Sequence, residues 1–509
     1  MSLSPDTLTA PTPAATAAAA PGAPPVPATA PRLPAHRDLY YGGAWHAPQG
    51  GYVDTFNPAT GESLGPCADA NPDDVNATVA SAKAAFDSWS RTKPADRAVM
   101  MRKVATVLRD NALDLALLDA ANCGSPVHEM VRDVRNAAAQ FDFFAGLVTE
   151  IKGDTIPMGD GVINMSVREP YGVVGRIVAY NHPLMFTAAK SAAPLAAGNT
   201  VVMKPPVQAP LSAYRLMELV DGIFPPGVWN VISGGTPCGV ALSEHPDVPF
   251  VSLIGSVATG RAVARAGAER LKRITLELGG KNACVVYPDA DLDRASTGAV
   301  NGMNFTWSGQ SCGSTSRLFV HASVHDEVVA RVLEKIRHYR PGFPTDMDTT
   351  MGAIVSRAQH EKVMRYIEIG KDEGATLACG GKVPDDPALS KGWFIEPTVF
   401  TGVTADMRIA REEIFGPVLS VISWTDEDEM LRQVNAVEYG LTGAIFTRDL
   451  ANAHRAAGRI QSGFIWVNNA GPHFLGTGYG GYKQSGIGRD ESIEELLSYT
   501  QSKNINITL

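Results

Sequence analysis

The sequence is short of cysteine: only six occur in 509 residues, and no two of them are spaced as Cys-x-x-Cys. So few cysteines in so long a chain do not form a disulfide framework, and their spacing argues against structural zinc and a thioredoxin-like redox centre. We therefore expect no metal site, and we expect the reducing environment of the cytoplasm as the location of the protein.

Long basic runs and long apolar runs are also missing. The formal net charge is −9, which argues against nucleic acid and membranes as partners. No apolar run is long enough to span a bilayer. The 45% of hydrophobic and 19% of charged residues are ordinary for a globular protein, and the chain is long enough for two or three substructures.

The first 36 residues contain little besides Ala, Pro, Thr and Ser. Such a segment cannot bury enough apolar surface to fold, so we predict a disordered tail over residues 1–36. A docking or targeting role for this tail stays open.

Apolar strands alternate with helical stretches in the middle of the chain. This pattern predicts an α/β fold with a doubly wound parallel sheet. The five predicted strands are residues 172–180, 200–204, 228–232, 250–254 and 274–278. A second α/β pattern begins at residue 283.

Two further segments have a clear periodicity. Residues 94–118 read as one continuous amphipathic helix, with Val99 and Leu113 among the residues of its apolar face. The polar–apolar alternation of the C-terminal segment 491–509 favours an edge strand that needs a partner chain.

A glycine turn over residues 254–260 joins a predicted strand to a predicted helix. Backbone N–H groups and the helix dipole at such a turn can bind a pyrophosphate, although the spacing Gly-x-x-x-x-Gly is equally typical of a plain tight turn. Lys204 ends an apolar strand, which places its ammonium group at the carboxyl edge of the sheet, where ligands of such folds bind.

Two short segments carry reactive groups. Glu277 ends a predicted apolar strand and precedes two glycines, a position that raises the pKa of a carboxylate by desolvation. Cys312 follows Gly309, Gln310 and Ser311 in a small, polar loop. A buried cysteine is more often a packing residue, but this loop does not have the composition of a core helix.

Eight segments, taken in order, resemble the motifs of the aldehyde dehydrogenase superfamily from about Asp38 to the C-terminus. They are Tyr180-Asn181-His182-Pro183, Met203-Lys204-Pro205, Ile254-Gly255-Ser256, Glu277 to Lys281, Gly309 to Cys312, Glu413 to Pro417, Trp466-Val467-Asn468 and Gly480 to Gly486.

The resemblance implies the oxidation of an aldehyde to a carboxylic acid through a thiohemiacetal and a thioester on cysteine, with a glutamate-activated water. It implies Cys312 as nucleophile, Glu277 as general base and Asn181 as oxyanion donor. The implied substrate residues are His182, Phe186, Thr306, Trp307, Ser311, His473 and Tyr479, and Asp490 is a candidate second carboxylate relay. The two histidines either bind a polar end of the substrate or only fill space.

The cofactor implied by the resemblance is NAD, held by Lys204, Gly255, Ser256, Leu278, Glu413 and Phe415. NAD-preferring members often carry an acid where Val207 stands, so NADP stays possible.

The resemblance also implies a domain organisation. A dinucleotide-binding domain is expected over 37–149 and 171–281, a catalytic domain over 282–483, and a small β arm over 150–170 and 484–509 that joins subunits into a homodimer or homotetramer. Three alternatives stay open: a relative that transfers the acyl group to coenzyme A, a non-catalytic nucleotide-binding protein on the same fold, and a thiol esterase.

Overall fold

Two large β-sheets organise the computed structural model, which describes residues 30–509. Most of the predicted tail, residues 1–29, lies outside the described residues. The strands of the described part are β1 Leu39–Tyr41, β2 Ala44–His46, β3 Tyr52–Phe56, β4 Ser63–Ala68, β5 Thr155–Pro157, β6 Val162–Pro170, β7 Val173–Ile177, β8 Thr200–Lys204, β9 Trp229–Val231, β10 Phe250–Ile254, β11 Arg273–Glu277, β12 Ala283–Val286, β13 Arg317–His321, β14 Thr376–Cys379, β15 Thr398–Thr401, β16 Val418–Trp424, β17 Tyr439–Gly440, β18 Thr442–Phe446, β19 Phe464–Val467, β20 Tyr482–Lys483, β21 Gly486–Ile487 and β22 Thr500–Thr508.

The helices lie between and around these strands. They are α1 Pro72–Ser90, α2 Pro94–Asp110, α3 Ala112–Cys123, α4 Val127–Gly146, α5 Pro183–Ala196, α6 Leu211–Val220, α7 Thr236–Glu244, α8 Val257–Ala268, α9 Leu292–Gly302, α10 His325–Ile336, α11 Arg357–Asp372, α12 Arg408–Arg411, α13 Glu427–Asn435, α14 Leu450–Arg459 and α15 Ile493–Ser498. Short 3-10 turns cover Phe305–Trp307, Ala322–Val324 and Pro387–Leu389.

The first sheet has the order β2-β1-β9-β8-β7-β10-β11-β21. Its five central strands, in the order β9-β8-β7-β10-β11, are parallel. Along the chain, strands are added on one side of β7 up to β9 and then on its other side from β10, so the strand order reverses between β7 and β10. Strands β8 and β10 are buried along their whole length, as expected for strands covered by helices on both faces. The open edge at this reversal is where ligands of doubly wound sheets bind.

The second sheet has the order β14-β15-β16-β13-β12-β18-β19 and is parallel except for the antiparallel edge strand β14. Separate apolar clusters cover its two faces. The predicted α/β class with parallel sheets is confirmed.

A third, three-stranded sheet has the order β22-β6-β5. The C-terminal strand β22 pairs antiparallel with β6 along nine residues and forms one edge of this sheet. Only the second part of the segment 491–509, which was predicted as an edge strand, is a strand. The first part contains the helix α15, which Ser492 caps by accepting a hydrogen bond from the Glu494 N–H.

The prediction of one continuous helix over 94–118 is wrong. The helix breaks at Asn111, whose side-chain amide donates to the Val107 carbonyl at 2.8 Å and so competes with the backbone hydrogen bonds. Val99 and Leu113, predicted on the apolar face, are 52% and 51% exposed. Among residues 30–509, no helix combines the length and apolarity needed to cross a membrane.

Candidate active site

A cavity of about 470 Å³ opens beside the carboxyl end of β11. Its wall is formed by α4, the first half of α5, the segment 304–313 and the segment 466–491. This volume suits a small-molecule ligand. Both Cys312 and Glu277 lie in the wall, so the structure brings the predicted thiol and carboxyl to one cavity.

The loop that carries Cys312 is anchored by amide side chains. Gln310 accepts a hydrogen bond from the Val355 N–H at 3.0 Å and donates to the Ala353 carbonyl at 3.2 Å. Asn282 donates to the Cys312 carbonyl at 2.7 Å. At Gly309 the backbone φ is +67°, and a Cβ atom there would collide with the Gly416 carbonyl. The sulfur is therefore held in a fixed loop, and Asn282 is a supporting residue that the sequence analysis missed.

Cys312 is half-buried in the cavity wall. Its sulfur lies 4.0 Å from the Tyr479 hydroxyl. Burial raises the pKa of the thiol to about 12, and the nearby carboxyls of Glu277 and Glu413 add to that rise. In this state the group is a thiol, and it becomes a strong nucleophile only when its proton is removed.

The carboxyl of Glu277 is buried without a partner. Neither of its oxygens accepts a hydrogen bond within residues 30–509. Gly480 makes room for it, since a Cβ atom at that position would stand 2.8 Å from Oε1. Burial raises its pKa well above the usual range, Asp490 raises it further, and Lys190 and Arg489 oppose the rise. A buried carboxyl with free oxygens and a raised pKa is typical of a general base.

A buried ion pair lies on the same side of the cavity as Glu277. The Lys190 ammonium stands 2.9 Å from Asp490, and both side chains are almost completely buried. Burial by itself would lower the pKa of Lys190, but Asp490, Glu495 and Glu491 raise it, so the ammonium stays charged. Lys190 is the only charged residue of the apolar helix α5, a signal that the sequence analysis did not use.

Another part of the wall is formed by the polar face of α4, whose role in the site was not predicted from the sequence. Asp133 accepts a hydrogen bond from the His182 Nδ1 at 2.6 Å. The His182 ring contacts Phe186 and Trp307, with ring centroids 5.2 and 5.7 Å apart. Burial would lower the pKa of His182, but the charge and the hydrogen bond of Asp133 raise it overall.

Most of the predicted substrate residues line this cavity together with Cys312 and Glu277: His182, Phe186, Trp307, Ser311, His473 and Tyr479, as does Asp490. Two predicted residues do not line it. Asn181 is buried next to His182, and Thr306 lies behind the wall, where its carbonyl accepts the Gly352 N–H.

Lys204 lies at the carboxyl end of β8 and is 8% exposed. Its ammonium has only a long contact, 3.5 Å, to the neighbouring Pro205 carbonyl. Burial lowers its pKa, and Cys238 and Asp69 partly restore it. A buried cation with unused donors at this edge fits the hydroxyl groups of a ribose.

Gly255 and Ser256 join β10 to α8, one strand beyond β7. Ser256 caps α8 by accepting the Thr259 N–H at 3.2 Å, and the helix N-terminus suits a phosphate group. Leu278 packs against Gly260, where a Cβ atom would come within 2.6 Å of it. Val207 is half-buried in the turn after β8.

Glu413 accepts a hydrogen bond from the Gly280 N–H at 2.9 Å. Gly280 is two residues after Leu278 in the sequence. Burial raises its pKa, against the Gly280 hydrogen bond and the charges of Lys362 and Lys281. Phe415 has a positive φ of 58° and packs edge-on against Tyr180. In residues 30–509 no group of three or more potential metal ligands occurs.

Comparison with known proteins decides the family. The family model described as "Aldehyde dehydrogenase family" matches residues 45–505. The chain belongs to this family. It is 51% identical over 485 residues to the aldehyde dehydrogenase tropH of Talaromyces stipitatus, covering 94% of each chain. It is 42% identical over 461 residues to a betaine aldehyde dehydrogenase of Mesorhizobium japonicum, covering 90% of this chain and 94% of the relative.

Solved structures agree with this assignment. The NAD⁺ complex of an aldehyde dehydrogenase from Bacillus cereus superposes with a TM-score of 0.90 at 37% identity, covering 93% of this chain and 96% of that one. A Burkholderia cenocepacia structure described as a putative aldehyde dehydrogenase gives a TM-score of 0.91, also at 37% identity, covering 94% and 98%. This aldehyde dehydrogenase is thus an NAD(P)-dependent enzyme that oxidises an aldehyde to an acid, and the sequence interpretation of fold, family and activity is confirmed.

Proposed function

We propose that this enzyme uses NAD and releases a free carboxylic acid, with Cys312 as nucleophile and Glu277 as general base. One observation carries the proposal: the sulfur and the partnerless carboxyl share one cavity wall. Glu277 acts on the sulfur electrostatically, because its charge contributes to the raised pKa of the Cys312 thiol.

In the first step the Cys312 thiol releases its proton to solvent, and its sulfur bonds to the aldehyde carbon while the electron pair of the C=O double bond moves to the oxygen. The oxyanion that forms needs donors aimed at it, and losing one donor typically costs about 3 kcal/mol of barrier. We assign this role to the Cys312 backbone N–H and to the amide of Asn181, which is buried one residue from the cavity wall.

The bound nicotinamide supplies the oxidising chemistry by accepting a hydride. The protein then holds a thioester on Cys312. Glu277 removes a proton from water, the hydroxide oxygen bonds to the acyl carbon, and the carbon–sulfur bond breaks to release the acid. Asp490 and Lys190, whose charges act on Glu277, are positioned to influence its proton affinity.

The cofactor residues in this proposal are Lys204 for a ribose, Gly255 and Ser256 for the pyrophosphate, and Glu413 for the second ribose, with Leu278 and Phe415 beside the ring. NAD is preferred in the proposal because no cation stands at Val207 to attract a 2′-phosphate. Steady-state rates with NAD and NADP at equal concentration test this preference, and a higher kcat/KM with NADP would contradict it.

Product analysis with and without coenzyme A tests the hydrolytic chemistry. The proposal predicts the free acid in both reactions, formed in equal amount with the reduced cofactor. Formation of acyl-coenzyme A, with no acid in its absence, would favour the acyl-transferring alternative. If the enzyme hydrolysed an added thioester to the acid but reduced no NAD with any aldehyde as substrate, the thiol esterase would be favoured.

We also propose a homodimer or homotetramer joined through the three-stranded sheet, since β22 is an edge strand nine residues long. The domain boundaries predicted from the sequence belong to the same proposal. A cytoplasmic location is proposed because all six cysteines are free. Sedimentation velocity of the full chain distinguishes the oligomeric states. A monomer at micromolar concentration would contradict the proposal that the three-stranded sheet joins subunits.

A further inference from the structure

The charges in the cavity wall are almost completely paired. Of the five acids in the wall, four have a basic side chain as partner: Glu129 with Arg132 at 2.8 Å, Asp133 with His182 at 2.6 Å, Asp490 with Lys190 at 2.9 Å and Glu491 with His473 at 3.4 Å. The fifth is Glu277, which the proposed function uses.

The cations of the wall are not all used in this pairing. Arg135 lies on the exposed part of α4, lines the cavity, and makes no ion pair among residues 30–509. Apart from Glu277, the wall therefore has no unpaired carboxylate for a cationic substrate, and it has one unpaired guanidinium, that of Arg135. An aldehyde with a quaternary ammonium would meet no counter-charge except Glu277 and could contact only the aromatic side chains of the wall.

His182 presents a free hydrogen-bonding edge to this cavity. Its Nδ1 is engaged by Asp133, and Nε2 makes no hydrogen bond within the described part of the chain although the residue lines the cavity. Its side chain is 16% exposed, so the ring is packed but not sealed off. A carboxylate on Nδ1 fixes the ring orientation and favours the imidazolium, which makes Nε2 a donor.

The groups that face the His182 ring come from several elements. Asp119 on α3, Glu129 and Asp133 on α4, and Glu491 in the C-terminal segment all interact electrostatically with it. Glu129 and Glu491 have their own partners, and Asp119 accepts the Leu184 N–H at the start of α5. Asp133 is the carboxylate that touches the ring.

Aromatic side chains form the rest of the wall around His182. Phe186 and Trp307 contact its ring, and Trp466 and Tyr479 line the cavity further along. Flat aromatic walls favour a flat, apolar ligand body. We propose that the substrate is an aromatic aldehyde that carries a hydroxyl or carboxylate oxygen on its ring, and that His182, positioned by Asp133, donates a hydrogen bond to that oxygen. This inference rests on the proposed function for the position of the reacting end.

A set of matched aldehydes tests the inference. The probes are 4-hydroxybenzaldehyde and 4-carboxybenzaldehyde, 4-methylbenzaldehyde as the analogue of similar size without an oxygen, and betaine aldehyde as the cation. We expect kcat/KM for at least one oxygen-bearing probe to exceed that for the methyl analogue by about tenfold or more, with betaine aldehyde lowest. Equal values for the three aromatic probes, or betaine aldehyde as the best substrate, would overturn the inference.

His182→Phe should reduce that ratio to near one, because the ring is kept and the donor is lost. His454→Phe, on the exposed face of α14, is the matched control and should leave the ratio unchanged. A ratio in His182→Phe equal to that of the wild type would show that the imidazole does not contact the oxygen.

Asp133→Asn tests the positioning role through pH. Without the carboxylate the imidazolium forms only at lower pH. As pH rises, Asp133→Asn should therefore lose the preference for 4-carboxybenzaldehyde over the methyl analogue at a pH about one unit or more below that of the wild type. An unchanged pH profile of the ratio would contradict this role.

Binding of the same two probes to wild-type enzyme without cofactor, measured by calorimetry, separates this inference from the proposed function. Tenfold tighter binding of the carboxy probe that His182→Phe abolishes supports the inference even if no aldehyde is turned over. Equal affinities would overturn it even if the enzyme proves active.

Discussion

At the reacting end of the cavity, Glu277 has two buried oxygens without partners and burial raises the thiol pKa of Cys312 to about 12, whereas along α4 Asp133 is hydrogen-bonded to His182 and Glu129 pairs with Arg132. At the reacting end, burial disfavours the charged forms of both groups and so raises the pKa of the Glu277 carboxyl and of the Cys312 thiol. Along α4 each of these acids has a basic partner. Carboxyls in the wall of one cavity therefore differ in whether a basic side chain is within reach: Glu277 has none, whereas Asp133 and Glu129 each have one.

Removing the nucleophile should cause the largest loss of activity. We expect Cys312→Ala to lower aldehyde oxidation by at least about 10⁴-fold, because no other group can form the thioester. Cofactor binding, measured by fluorescence titration, should change little. Cys379→Ala is the control, since Cys379 lies on β14 and outside the cavity. Wild-type turnover by Cys312→Ala would remove the nucleophile assignment.

Breaking the buried ion pair tests how much the pairing contributes to stability. Lys190→Met leaves Asp490 buried without its cation, and we expect a loss of about 3–5 kcal/mol in the free energy of unfolding. The matched control is Lys83→Met, which removes an exposed pair with Asp247 and should cost about 1 kcal/mol or less. Urea denaturation measures both, and equal losses in the two variants would show that burial does not matter here.

Glu277→Gln should lower the steady-state rate by about 10²-fold, because the water that attacks the thioester loses its base. In the wild type, the raised pKa of Glu277 should displace the acid limb of the kcat profile toward neutral pH, since the carboxylate must be unprotonated to act. Glu438→Gln, an exposed acid on the surface, serves as control. If Glu277→Gln kept the acid limb of the wild-type kcat profile, a group other than Glu277 would be responsible for that limb.

The smallest expected effect is on stability. A carboxyl whose pKa is raised in the folded state favours folding when protonated, and this contribution is fully present below its unfolded pKa of about 4.5 and lost as pH rises through the folded pKa. Glu277→Gln should therefore melt about 2 °C above the wild type at pH 8, and the difference should vanish near pH 4. A difference that is constant with pH would contradict burial of a titrating carboxyl.

The parts of the site that lie at strand ends could be predicted from the sequence. Lys204 and Glu277 each end an apolar strand, and the carboxyl ends of parallel strands meet at one edge of the sheet. Cys312 stood out because its neighbours are small and polar, and the order of the motifs pointed to the family.

The pairing of charges could not be predicted in this way. Asp133 meets His182 across 49 residues and Lys190 meets Asp490 across 300, and the contacts depend on how α4 and the C-terminal segment pack around α5. The break at Asn111 was missed because a single amide competing for a backbone carbonyl leaves the hydrophobic period of the flanking helices intact.

The most direct test of the chemistry is to trap the acyl enzyme. Glu277→Gln enzyme is mixed with NAD and 4-hydroxybenzaldehyde, quenched in acid within one turnover, digested and examined by peptide mass spectrometry. We expect an acyl adduct on the peptide that contains Cys312 and on no other cysteine peptide. An adduct on another cysteine, or acid formed at the wild-type rate with no adduct, would contradict the assignment of Cys312 as nucleophile.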